Sequence, residues 1–375
     1  MTEAEIRASA WLQAWDAQGT HRTGTAGDAA GGEWLAAEAT ALGAAVTVED
    51  FTFDRLDPIA CHLDIAGRRI EGVPVFDAPP TDAAGVTGTL GRDIAVAELS
   101  PRAVYTGAFQ RLRRAGDRKA LVVVCQGDAP GLGLINAEDF RQRYGTPAIH
   151  VSSEARDVVL AASRVGVSAQ LVAHSQQTRA RAVNIVITLA GTNTGKPPLV
   201  VMTPRSSWWQ STAERGGGLV CWLESLRALI AEPPRRDVVF TANTGHELGH
   251  LGLDEFLARR PGWGQPGAAE WIHYGANLGA FGGWLSLVSN ADDLRRLGLA
   301  ALTDAAQPPD DIPPPTLVPS GETRDIHKAG GRYLTLVGTN PLFHLPQDRW
   351  PHAVDVLAVA RIGAAAAEMV RALSR

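Results

Sequence analysis

The sequence predicts an α/β protein, a mostly parallel sheet flanked by helices on both faces and interrupted by a β-rich inserted domain. Three observations predict it. After residue 181, short apolar runs alternate with stretches of helical spacing, the texture of strand–helix units. Between 58 and 180, short apolar segments are separated by Gly, Pro and Asp turns with little helix between them. At 375 residues the chain is long enough for two domains. The division is 1–57 and 181–375 for one domain and 58–180 for the insert.

The N-terminal part opens with helical spacing over 3–16 and 30–43, joined by the Gly/Thr-rich turn THRTGTAGDAAGG. AAVTVEDFTF then alternates as a strand. In the insert, IACHLDIAG, GVPVFDA, DIAVAEL, ALVVVCQG, PAIHVSS and VSAQLVAH read as strands, with helices at 105–116 and 154–164. In the main part, the strands are NIVITLAG, PLVVMT, DVVFTANT, WIHYGANLG, WLSLVS and RYLTLVG. The helices between and after them are 214–231, 246–259, 291–306 and 351–373. The Pro-rich stretch 308–319 is a loop, because proline fixes φ and removes a donor.

Composition excludes several function classes. Hydrophobic residues make up 45% and charged residues 20%, an ordinary globular balance. The formal charge of −5, without a basic stripe, argues against nucleic acid as a partner. The longest apolar runs have strand length, so no membrane span is expected. Cys61, Cys125 and Cys221 are scattered and suit buried positions in a reducing compartment. The N-terminus is acidic and amphipathic, unlike a signal peptide, and a cytoplasmic location is the expectation. A homo-oligomer is compatible with the sequence but has no residue signal of its own.

Catalytic residues in such sheets lie just beyond the C-terminal ends of strands. Four polar clusters fall there: Pro204-Arg205-Ser206-Ser207, His246-Glu247, Asn277 and His344. Within them, GHELGHLG at 245–252 is ambiguous. As His-Glu-x-x-His it is a zincin signature, with His246 and His250 as ligands, Glu247 as base and Glu270 as a third ligand. Read as the segment following an apolar strand, it makes Glu247 the ligand and puts His246 in the position of a base. Trp208, Trp209 and Trp350 fall beside these clusters, where large aromatic side chains line a substrate site or pack one domain on the other. Ser206 and Ser207 lack the G-x-S-x-G context of a nucleophile.

Taken in order, these clusters resemble the co-catalytic zinc aminopeptidases, the exopeptidase family that includes the glutaminyl cyclases. THRTGTAGDAAGGEWLAAEATALGA resembles the family's opening segment. TGTLGRDIAV, ALVVVCQ and GTPAIHVSS resemble its protease-associated insert, and His344-Leu345-Pro346-Gln347-Asp348 its closing motif. Several motif residues differ. The first His-x-Asp falls on Pro204-Arg205-Ser206, the bridging aspartate on Glu214, the Glu-Glu pair on His246-Glu247, and the aspartate of the third motif on Asn277 or Gly279.

The resemblance therefore implies one zinc ion rather than two, held by Glu214, Glu247 and His344. His246 would shuttle the proton, and Arg205 would put a fixed positive charge where the other ion sat. Trp208, Trp209, Asn277, His250 and Trp350 would bind substrate, with His327 and Arg324 on a pocket loop. The implied activity is hydrolysis of an amide or peptide-like bond in a small-molecule or peptide substrate. Two alternatives stand beside it: a relative that has lost its metal and acts as a binding or scaffold protein, and the zincin-like metallopeptidase.

Overall fold

A computed structural model describes residues 1–103, 107–193 and 195–375. The chain opens with α1 (Glu3–Asp16), whose first turn is closed by a reciprocal Thr2/Glu5 capping box, and α2 (Ala26–Ala41). A 20-residue strand, β1 (Val46–Ile65), leads into β2 (Arg68–Pro74), β3 (Val86–Thr89), β4 (Ile94–Leu99), α3 (Ala108–Arg114), β5 (Ala120–Cys125), β6 (Ala148–Val151) and α4 (Arg156–Val165). The 22-residue β7 (Ser168–Leu189) returns the chain beside β1. Then follow β8 (Leu199–Pro204), α5 (Thr212–Ala231), β9 (Val238–Asn243), α6 (Leu251–Ala258), β10 (Glu270–Tyr274), β11 (Leu285–Ser289), α7 (Asp292–Asp304), α8 (Thr323–Lys328), β12 (Arg332–Gly338) and α9 (Val356–Leu373).

The strands form one continuous sheet in the order β11-β12-β10-β8-β9-β7-β1-β2-β6-β5-β4, with β3 on β7. The strands β12, β10, β8 and β9 run parallel, so their C-terminal ends open on one edge. The segment WLSLVS differs from the strand–helix expectation, since β11 pairs antiparallel to β12. It follows β10 after a turn too short for a crossover helix, which only an antiparallel partner can accommodate.

Alternation along the central strands builds a two-sided core. Leu199 and Val201 of β8 and Val238, Phe240 and Ala242 of β9 face the helices α1, α2, α5, α7 and α9. Val200 and Met202, with Val239, Trp271 and Tyr333, face α6 and α8. Strands buried on both faces explain why these segments read as continuous apolar runs. Separate apolar clusters fill the 58–180 segment, one of them around Leu63, Val122, Ile149 and Leu171. Among the described residues no helix is long and apolar enough to cross a membrane.

The expected helix 105–116 is seen over Ala108–Arg114, and its first two residues lie outside the described residues. The expected helix 246–259 begins only at Leu251. Gly245, Gly249 and His250 all take left-handed backbone, so a short 3₁₀ turn over His246–Leu248 stands in place of the first helical turn. At Gly249 a side chain would also meet the Glu138 carbonyl oxygen at 2.5 Å, and glycine suits both demands.

Candidate active site

The parallel strands deliver their C-terminal ends to one buried polar cluster. The loop after β8 supplies Arg205, Ser206 and Ser207; the turn after β9 supplies His246 and Glu247; and the turn after β10 supplies Asn277. The segment after β12 supplies His344, and the loop before α8 supplies Glu322. All of these side chains are buried.

Glu214 stands in the first turn of α5. Asp348 caps that turn, its carboxylate accepting from the backbone N–H of Ala213 at 2.7 Å and of Glu214 at 3.0 Å. Thus Asp348 of the closing motif positions the helix that carries Glu214. Glu214 Oε1 lies 3.4 Å from His344 Nε2 and 2.7 Å from Nη2 of Arg215. Burial alone would raise the Glu214 pKa, but Arg215 and then His344 outweigh it and hold it down to about 2. His344 is aimed by its other nitrogen, with Nδ1–H donating to the Leu134 carbonyl at 2.7 Å.

Glu247 does not join this pair. Its Oε1 accepts from the backbone N–H and the hydroxyl of Thr23, both at 2.7 Å, and its Oε2 accepts from Ser206 Oγ at 2.6 Å. Burial pushes its pKa up against those hydrogen bonds. The carboxylate is thereby committed to locking the N-terminal loop onto the strand ends. Among the described residues no three His, Cys, Asp or Glu side chains gather so as to hold an ion. A zinc ion on Glu214 and His344 would also face the guanidinium of Arg215, charge against charge. The donor set therefore does not fit the single zinc on Glu214, Glu247 and His344 that the resemblance implied.

Arg205 is a second correction. Its Nη1 donates to Asp28 Oδ1 at 2.8 Å and to the Asp28 carbonyl at 2.7 Å, and Nη2 donates to the Val183 carbonyl. It ties α2 to β7 and takes no part in the pocket. The guanidinium at the site belongs instead to Arg215, ten residues further on, which is wholly buried with Nε donating to the Ser206 carbonyl at 2.6 Å. Ser206 is occupied as well, its hydroxyl bonded to Glu247 and accepting from the His246 N–H at 3.1 Å.

The zincin geometry is overturned by the left-handed residues at 245, 249 and 250, which break the one-turn spacing a helix would give the two imidazoles. His246 and His250 approach only ring to ring, with centroids 5.0 Å apart. His250 Nδ1 is paired with Asp325 Oδ2 at 2.5 Å, and Glu270 with Arg236 and Arg332.

Of the residues expected to bind substrate, Asn277 lines a cavity of about 110 Å³ together with His246, His273, Gly321 and Phe343. Trp209 donates from Nε1 to the His344 carbonyl at 2.9 Å and so holds that loop. Trp208 is stacked on Phe76 with centroids 4.7 Å apart, in a cluster that also takes in Phe51, Leu134 and Leu251. It therefore packs the 58–180 segment onto the rest of the chain. Trp350 packs against the main core and lines neither this cavity nor the larger cleft beside it. His327 Nδ1 faces the Tyr333 hydroxyl at 3.0 Å, and Arg324 pairs with Glu138.

Sequence reasoning missed Arg215, His273 and Glu322. His273 is held through Nδ1 by Thr335 and Thr323 at 2.7 and 2.6 Å, and burial keeps its pKa down to about 3. Glu322 Oε2 accepts from Asn243 Nδ2 at 3.0 Å, while Oε1 lies 3.6 Å from His246 Nδ1. Burial pushes the Glu322 pKa up to about 7. His246 is held well below the usual histidine range by burial, then by Arg215 and the neighbouring imidazoles. A signal existed for two of the three. Arg215 is a cation directly beside Glu214 and ahead of the Gly216–Gly218 run in the first turn of a largely buried helix, and His273 interrupts an apolar strand. Glu322 sits in a polar loop and gave none.

Several buried atoms here have no hydrogen-bond partner among the described residues: His246 Nδ1, His273 Nε2, Asn277 Oδ1 and Glu322 Oε1. Buried polar atoms are normally satisfied, so free ones at this edge of the sheet mark a place that water, an ion or a ligand would fill.

No described protein family matches the sequence, and no curated protein does. Solved structures do match in fold. The zinc aminopeptidase of Bacillus subtilis superposes with a TM-score of 0.78 at 17% identity, covering 99% of this chain and 95% of that one. A peptidase precursor from Shewanella amazonensis gives 0.78 at 15% identity, over 100% and 95%. An aminopeptidase from an Aneurinibacillus strain gives 0.70 at 15%, over 100% and 94%. The fold is that of the zinc aminopeptidases.

Proposed function

We propose that this chain is a peptidase-type hydrolase acting on an amide or peptide-like bond of a small substrate. The observation that carries the reading is the set of partnerless buried atoms at the C-terminal ends of parallel strands, where the fold places its chemistry. Of these residues His246, His273 and Asn277 line the cavity, where the Asn277 amide oxygen accepts N–H donors and each neutral imidazole keeps one acceptor nitrogen. His246 is the group facing the cavity that moves a proton, taking it from water as the oxygen attacks the carbonyl carbon and giving it to the departing nitrogen. Glu322 stands behind it as a positioning residue. Arg215 supplies a fixed positive charge to the cluster.

The single-zinc form of this reading would require Glu247 to leave Thr23 and Ser206 and Arg215 to leave Glu214. No step of the proposed chemistry runs through a metal. The test is hydrolysis of a panel of aminoacyl anilides and dipeptides by purified protein, with chelator and with added zinc. Turnover in chelator that His246→Ala abolishes without lowering the melting temperature supports the reading. Absence of turnover under every condition sinks it.

A binding protein without turnover is the second reading, and the ion pair of Arg215 on Glu214 favours it, since a fixed side-chain cation already neutralises the carboxylate. It predicts ligand binding in the same panel with no product.

A further inference from the structure

The small cavity is not isolated. Arg102 and Phe343 line it, and the same two residues line a cleft of about 560 Å³ between the 58–180 segment and the loops after β10 and β12. Gln126 and Asp128 stand on one side of that cleft and Trp284 and Asn340 on the other. Trp284 is 65% exposed, unusual for so large an apolar ring unless something covers it.

An aromatic stack joins the two spaces. The Arg102 guanidinium lies 5.3 Å from the centre of the Phe343 ring, and Phe343 stacks on His344 with centroids 3.8 Å apart. His344 in turn faces Glu214. Among the described residues Arg102 has no acidic partner within ion-pair distance, although Asp128 lines the same cleft. Stacking on a ring limits the positions a guanidinium samples while leaving its N–H fork free, the arrangement that suits a carboxylate.

The two spaces are opposite in character. The inner cavity offers acceptors, and the mouth offers a forked donor with positive charge. We propose that Arg102 is a specificity-determining residue that binds the carboxylate of a short, peptide-like substrate whose N–H groups enter the inner cavity. This deepens the hydrolase reading and rests on it for the word substrate. Carboxylate binding itself stands without turnover.

Calorimetric titration with alanyl-leucine and with its C-terminal amide tests it. The free acid binds about tenfold to a hundredfold more tightly than the amide, the range of a charge-assisted fork. Arg102→Met abolishes that preference, and Arg102→Lys, a point charge on a flexible stem, restores part of it. Because Arg102 is exposed, the substitution leaves the fold intact, which an unchanged melting temperature verifies. Equal affinity for acid and amide, an acid preference that survives in Arg102→Met, or no binding of either probe up to its solubility limit overturns the inference. Acid-selective binding without hydrolysis sinks the hydrolase reading alone, and hydrolysis without acid preference sinks this inference alone.

Discussion

Replacing Arg215 with methionine tests whether a fixed side-chain cation organises the site. The pair it makes with Glu214 is 2.7 Å long with both side chains wholly buried, and its Nε also satisfies the Ser206 carbonyl. Breaking a buried pair by removing one partner costs about 3–5 kcal/mol, because the remaining charge is left uncompensated. The Glu214 carboxylate reports the same pairing. Its pKa is held down to about 2 from 4.5, which corresponds to roughly 3 kcal/mol at neutral pH. The sign follows from the depressed value: this stability is present above about pH 4.5 and is lost as pH falls toward 2. Without Arg215, burial dominates, the Glu214 pKa rises, and the variant loses stability as pH rises instead. Urea unfolding of wild type, Arg215→Met, Glu214→Gln and the double variant measures the coupling directly. The double variant is expected to recover much of the loss. A single-variant loss under about 1 kcal/mol, or strictly additive losses, refutes the argument that the two charges hold each other.

Three further outcomes are expected. The Glu322 pKa is raised from 4.5 to about 7 by burial, so its contribution is fully present below about pH 4.5 and is lost as pH rises through 7. Glu322→Gln therefore gains on wild type by a few kcal/mol between those limits, and melting curves that shift in parallel at every pH contradict it. Metal analysis after zinc-supplemented expression should find far less than one zinc per chain, and chelator should leave the melting temperature unchanged. About one zinc per chain, lost in His344→Ala, would restore the metal site. A Cβ on Gly217 would fall 1.8 Å from the Leu278 carbonyl oxygen, so Gly217→Ala should cost more than about 3 kcal/mol or leave the protein insoluble. A soluble variant with a nearly unchanged melting temperature contradicts that packing.

Much of the fold was legible in the chain. Apolar runs such as Leu199–Met202 and Val238–Ala242 announce strands buried on both faces, and the alternation of strand and helix announces a parallel sheet. The resemblance carried by THRTGTAG and by His344-Leu345-Pro346-Gln347-Asp348 pointed to the same architecture, and the superpositions on zinc aminopeptidases agree with it. The sequence also marked the strand ends as the place where polar side chains gather, because backbone direction in a parallel sheet leaves those ends together.

Partnership was not legible, since it depends on which side chains meet from positions far apart in the chain. Glu247 looked like a ligand until Thr23, 224 residues away, was seen to claim one of its oxygens. Arg205 and Arg215 are indistinguishable as letters, yet Asp28 captures the first and Glu214 the second. A run of His-Glu-x-x-His implied one helical face until left-handed backbone at Gly249 and His250 separated its halves. Local pattern is set by neighbours a few residues off and survives in one dimension. Charge compensation in a dry interior is settled only when the folded chain brings its distant acids and bases within reach.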